Sequence, residues 1–196
     1  MRIAYGNIAS SEFIAKNNIH YIVHQCNCKT TYALGLARTI FEAYPNANTY
    51  VPSSVWNLSF TSTTKQNNNS ISDSCAQSES VQSNASTELL REPGSIHIFG
   101  PVVNLYGQIF PGRASVNAVR GKGASSNGDS AIDRLRYFKS GIEKLAYELN
   151  GAPTTIAFPK FIGCGLAGGD WTRYFQEIKE IENNHPNISV VLCVLA

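Results

Sequence analysis

Apolar and polar positions along this chain fall into short runs whose period switches between that of a strand and that of a helix. Residues 1–5 (MRIAY) read as a first strand closed by Gly6-Asn7-Ile8, and Ser10 or Ser11 is placed to cap a brief helix through Phe13 and Ile14. Residues 19–26 (IHYIVHQC) are apolar on both faces up to a polar tip, which suits a central strand covered by helices on each side. A polar loop over 27–33 leads into a helix over 34–44 (LGLARTIFEAY), with Leu36, Ile40, Phe41 and Tyr44 inward and Pro45 as its stop. Residues 95–99 (SIHIF) and 102–109 (VVNLYGQI) are consecutive strands joined by a turn at Gly100-Pro101. The clearest helix covers 130–149, with Ile132, Leu135, Phe138, Ile142, Leu145 and Leu149 on one face and Asp129 or Ser130 as cap. Residues 154–158 (TTIAF) read as a buried strand, and Trp171, Phe175, Ile178 and Ile181 then recur at helical spacing. Residues 188–195 (ISVVLCVL) form a final strand too continuous for an exposed edge.

Strands separated by helices through most of the chain predict a three-layer α/β/α sandwich around a mixed sheet. One stretch breaks the pattern. Of the 40 residues from 53 to 92, 23 are Ser, Thr, Asn or Gln and the hydrophobic positions show no period, so this segment reads as a low-complexity, disordered insertion in a single domain spanning 1–196. The alternative is an ordered lid, for which residues 55–60 (VWNLSF) alternate briefly enough to form an edge strand. Residues 110–128, with Gly112, Arg113, Arg120 and Lys122, read as a flexible basic loop.

Charge and cysteine content narrow the function classes. A formal charge of +2 and 15% charged residues, with no basic stripe, argue against broad electrostatic binding of nucleic acid. No apolar run reaches signal-peptide or membrane-span length, so a soluble monomer inside the cell, cytoplasmic or nuclear, is expected. Five cysteines without a CxxC pair signal neither a disulfide framework nor a zinc site.

The candidate chemistry gathers at residues 159–171 (PKFIGCGLAGGDW), where four glycines within seven residues lie between a strand and an amphipathic helix. Glycines let the backbone approach a ligand and aim several N–H groups one way, and the helix start adds partial positive charge. A plain tight turn uses the same residues. The polar tip after residue 26 and the glycine turn after residue 158 both stand at carboxyl ends of strands, where open α/β sheets bind ligands.

Three pieces, His24-Gln-Cys-Asn27-Cys, Gly35-Leu-Ala37 and the run from Ile162 to Trp171, together resemble the macrodomain family. The likeness is to the branch of yeast-type ADP-ribose 1''-phosphate phosphatases, phage and viral relatives, and glycohydrolases that clear ester-linked glutamate. Gly6-Asn7-Ile8, Tyr44-Pro45, Pro93-Gly94-Ser95-Ile96, Tyr106-Gly-Gln with Pro111-Gly-Arg113, and Asp129-Ser130 add to it in the same order. The resemblance implies a cleft for ADP-ribose or ADP-ribose 1''-phosphate, free or attached to protein, and implies neither metal nor cofactor.

Under that resemblance Asn7, where many members have Asp, would accept from the adenine, a turn residue after a strand being its plainer role, and Ile8 would also bind the substrate. Ile162, Gly163, Cys164, Gly165, Leu166, Ala167, Gly168 and Gly169 would hold the diphosphate. Asn27 and the loop to Gly35 would line the distal ribose, and Leu36 and Ala37 would also bind the substrate. His24 and Asp170 are the candidate acid-base pair for hydrolysis, a buried-strand histidine and a helix cap being their plainer roles. The glutamate-clearing members use a lysine in the fourth-strand region and an acid after Gly-Cys-Gly-Leu. This chain has no lysine over 102–109 and has Ala167 at the acid's place, so that covalent route is not expected. The expected activity is phosphate removal from ADP-ribose 1''-phosphate. The alternatives are a reader of ADP-ribose without turnover and a noncovalent de-ADP-ribosylase.

Overall fold

A computed structural model describes residues 1–51, 91–114 and 128–195. The segment expected to be disordered, residues 53–92, lies outside them but for Arg91 and Glu92, as does most of the 110–128 loop. In chain order the elements are β1 (Arg2–Tyr5), α1 (Ser11–Lys16), β2 (Tyr21–Asn27), α2 (Leu36–Ala43), a short 3-10 turn (Pro45–Ala47), β3 (Ile96–Phe99), β4 (Val102–Gln108), α3 (Ala131–Glu148), β5 (Thr154–Pro159), α4 (Trp171–Asn184) and β6 (Ile188–Val194).

Six strands form one sheet in the order β1-β6-β5-β2-β4-β3, all parallel except the β3/β4 hairpin at the edge. The two-residue period sorts each interior strand between two cores. Ile22, Cys26, Val102, Tyr106, Ala157 and Val191 pack with Phe13, Ile40 and Phe41 on the α1/α2 side. Val23, Val103, Leu105, Ile156, Phe158 and Leu192 pack with Phe138, Ile142, Tyr174 and Ile178 on the α3/α4 side. The expected α/β/α sandwich with a mixed sheet is therefore the fold. Ser10 caps α1 by accepting from the Phe13 N–H, and Ser130 with Asp133 forms a reciprocal capping box on α3.

Two expected inward positions turn outward. Leu36 is 37% exposed, because α2 starts two residues later than the pattern suggested: Gly35, at φ 55° and ψ −135°, cannot be a helical residue. Ile132 is 70% exposed. At 3.6 residues per turn it lies about 120° around α3 from Phe138, whereas Arg134 lies within about 40° of Phe138 and is buried.

Candidate functional site

The cleft follows from where β2 stops pairing with β5. Only Tyr21↔Ile156 and Ile22↔Ala157 are in register, after which β2 runs on against β4 as far as Asn27↔Gln108. From β2 the chain continues toward β4, and from β5 it crosses to β6 on the other side, so these neighbouring strands diverge at a topological switch point. The gap they leave is a cavity of about 670 Å³. His24, Gln25, Asn27 and Gln108 contribute to its lining from the strand ends. Residues 34–37 line one side, and residues 159–163 and 165–167 line the other.

Residues with unpaired backbone donors line both sides of this gap. At the start of α2 the Leu36 and Ala37 N–H groups have no acceptor among the described residues, and Gly35 offers no side-chain cap. Opposite them, the glycine loop is folded by its own turns: Cys164 N–H donates to Phe161 O, Gly168 N–H to Gly165 O and Gly169 N–H to Gly163 O. Those bonds leave the N–H groups of Gly163, Gly165, Leu166 and Ala167 without an acceptor among the described residues. Gly163 holds φ +70° there, and a Cβ on it would stand 2.5 Å from the Tyr174 ring and 2.6 Å from Gln25 Oε1. Glycine is needed at this point for both conformation and space. Lys160 is the one charged side chain among the described lining residues, its Nζ 5.0 Å from the Phe161 ring centre, and no carboxylate lines the cleft among them. A row of unpaired N–H groups, a helix start and an ammonium make a site for an anion.

The floor is neutral. His24 is 1% exposed, its Nε2 is 2.6 Å from Asn104 Oδ1, and Asn104 Nδ2 donates to Ala47 O. The amide orientation makes Oδ1 the acceptor, so Nε2 carries the imidazole proton and Nδ1 is left unprotonated. Burial drives the His24 pKa down to about 4, against a smaller upward pull from Asn104, so the ring is uncharged at neutral pH. Asn27 Oδ1 accepts from the Lys29 and Thr30 N–H groups, while its N–H and Nδ2 both donate to the Tyr50 hydroxyl. One Nδ2 hydrogen remains for a ligand. Gln25 Nε2 donates to Gln108 Oε1, and Gln108 Nε2 donates to Phe110 O.

Of the residues singled out from sequence, the cleft brings together His24, Asn27, Gly35, Leu36, Ala37, Ile162, Gly163, Gly165, Leu166 and Ala167. Asn7 and Ile8 do not line it: Asn7 Oδ1 closes a turn by accepting the Ala9 N–H, and Ile8 is buried in the α1/α2 core. Gly168 and Gly169 are not among the lining residues; their N–H groups close the loop on Gly165 O and Gly163 O. Cys164 is half-buried, its thiol donates to Ile162 O, and burial raises its pKa to about 11, so it is no thiolate at neutral pH. Asp170 is also outside the lining; it caps α4 by accepting the Thr172 N–H at 2.9 Å and lies 3.7 Å from Arg173 Nε. Thr30 and Tyr32 line the cleft from the loop between Asn27 and Gly35, Lys160 and Phe161 line it from the stretch 159–171, and Tyr50 and Gln108 line it without having been expected as ligand contacts. Tyr106-Gly-Gln and Pro111-Gly-Arg113 had marked Gln108, Pro111 and Gly112 only as signs of family likeness.

A six-stranded α/β/α sandwich with an anion-ready cleft at its switch point defines the class. Two solved structures share the architecture along nearly the whole chain, and both are macrodomains. The macrodomain of Mycobacterium tuberculosis DarG superposes with a TM-score of 0.54 at 16% identity, covering 97% of this chain and 96% of that one. The macrodomain of Thermus aquaticus DarG superposes with a TM-score of 0.52 at 17% identity, covering 100% and 97%. The fold of this chain is the macrodomain fold. No protein-family model matches the sequence, and no curated protein matches it.

Proposed function

We propose that the cleft binds ADP-ribose, free or carried on a protein, with the diphosphate between the start of α2 and the glycine loop. The observation that carries this reading is the two sets of unpaired donors among the lining residues, Leu36 and Ala37 on one side and Gly163, Gly165, Leu166 and Ala167 on the other, none with an acceptor among the described residues. Unpaired N–H groups at a helix start and in a glycine loop favour an anion, and phosphate oxygens satisfy several at once. Binding without turnover is the better supported form. No carboxylate lines the described cleft, Asp170 stands outside it, and the Nε2 proton of His24 is committed to Asn104.

Phosphate removal from ADP-ribose 1''-phosphate is the second reading. It is favoured by the place of His24 in the cleft lining with Nδ1 free of a proton. A base whose pKa is about 4 is weak at neutral pH, which sets this reading behind the first.

Calorimetric titration with ADP-ribose, beside a phosphate-release assay on ADP-ribose 1''-phosphate, tests both. Saturable binding without release is expected. Release that disappears in His24→Gln moves the assignment to the phosphatase, and absence of both binding and release rejects the ADP-ribose reading.

A further inference from the structure

Arg134 lies in the first turn of α3, is not itself among the residues that line the cleft, and is 3% exposed. Its guanidinium has five N–H groups, and five acceptors meet them. Nε donates to Asp129 Oδ1 at 3.1 Å and Nη2 to Asp129 Oδ2 at 2.5 Å. Nη2 also donates to Phe110 O at 3.3 Å, and Nη1 donates to Gly112 O at 2.6 Å and to Ala167 O at 3.3 Å. Asp129 in turn accepts the N–H groups of Ile109 and Phe110 at 2.7 and 3.1 Å. Ala114 N–H joins the same knot by donating to Ala167 O at 3.3 Å.

Two segments far apart in sequence are thereby tied together: the strand exit at 109–114 and the end of the glycine loop at Ala167. Gly112 and Ala167 both line the cleft, and the Ala167 N–H is one of its unpaired donors. The Asp129 carboxylate neutralises the guanidinium, so Arg134 brings no free charge to a ligand. A buried ion pair is also an inefficient source of stability compared with apolar packing. What only a planar fork supplies is simultaneous aim at three carbonyls from two loops, which a lysine ammonium does not reproduce.

We propose that Arg134 is a positioning residue for the anion cradle, holding the glycine loop against the strand exit so that the Leu166 and Ala167 N–H groups point into the cleft. The affinity part of this proposal rests on the ADP-ribose reading; the joining of the two loops does not. Two variants separate position from stability. Arg134→Lys keeps the charge and loses the fork, and the double variant Arg134→Met with Asp129→Asn removes the charge pair altogether. Melting temperature, calorimetric affinity for ADP-ribose, and amide hydrogen exchange at Phe110 and Ala114 without ligand are measured on each.

The expected result is that the folded variants lose ADP-ribose affinity by about tenfold or more, and that Ala114 loses protection while the β4 amides keep theirs. A folded variant that binds ADP-ribose within about threefold of the wild type, or retains Ala114 protection, overturns the proposal. If the wild type itself does not bind, the ADP-ribose reading fails and the exchange data alone decide whether Arg134 joins the loops. If neither variant folds, the wild type decides: Phe110 and Ala114 protected about a hundredfold or more support the knot, and exchange at the unstructured rate refutes it.

Discussion

The hydroxyl of Tyr50 accepts two hydrogen bonds from Asn27, one from the backbone N–H at 3.0 Å and one from Nδ2 at 3.2 Å. A residue 23 positions away thus sets the geometry at the tip of β2. Tyr50→Phe keeps the ring, and with it the Phe41 edge contact and the Arg91 guanidinium over its face. It leaves a buried N–H without an acceptor, at a cost of about 1–3 kcal/mol. A chemical-denaturation curve is expected to show that loss, and titration is expected to show ADP-ribose affinity reduced several-fold. Unchanged affinity would mean that Asn27 does not need Tyr50 to serve the ligand.

His24 makes stability depend on pH in a defined direction. Its folded pKa, about 4, lies below the unfolded value of about 6.5, so the unfolded chain binds more protons between those limits. The contribution is fully present above about pH 6.5 and falls by up to about 3 kcal/mol as the pH drops toward 4. His97, also lowered by burial, acts in the same direction. Unfolding free energies at pH 7, 5.5 and 4.5 are expected to show a steeper slope in the wild type than in His24→Gln. Equal slopes would place the histidine in water in the folded protein.

Gly163→Ala tests the loop. The new methyl meets Tyr174 at 2.5 Å and Gln25 Oε1 at 2.6 Å while the backbone holds φ +70°. A loss of about 2–4 kcal/mol is expected, with ligand binding abolished in whatever folds. Gly165→Ala makes the matched control, since a Cβ there meets nothing within 4 Å and Gly165 has no positive φ. Normal stability in the Gly163 variant would contradict the described loop.

Asp170→Ala removes the α4 cap and is expected to cost about 1 kcal/mol by thermal or urea unfolding, with most of it restored by Asp170→Asn. Phosphate release, if the protein performs it, is expected to survive in Asp170→Asn. A tenfold or greater loss of turnover there, at normal stability, would return Asp170 to the chemistry.

The strand and helix order was legible because each interior strand is short, apolar and followed by turn residues, and because Ser10, Ser130 and Asp170 are ordinary caps. The glycine loop was legible as well, since Gly163 has no substitute in that conformation. Contacts between distant positions were not. Nothing near Tyr50 announces Asn27. Arg134 left a trace that was passed over: it falls inside the apolar stripe of α3, where Ile132 does not, and a charged residue on a buried stripe asks for a partner such as Asp129. Asn7, which family likeness places at an adenine and its position after a strand marks equally as a turn residue, closes a turn with Oδ1.

Arg91 lies with its guanidinium 5.6 Å from the centre of the Tyr50 ring and donates to Thr30 O. Tyr50 and Arg91, which are 41 residues apart in sequence, therefore stand side by side. A connection whose two feet already touch places no demand on the length between them, so that junction is a natural port for a tether, a reporter or a transplanted domain.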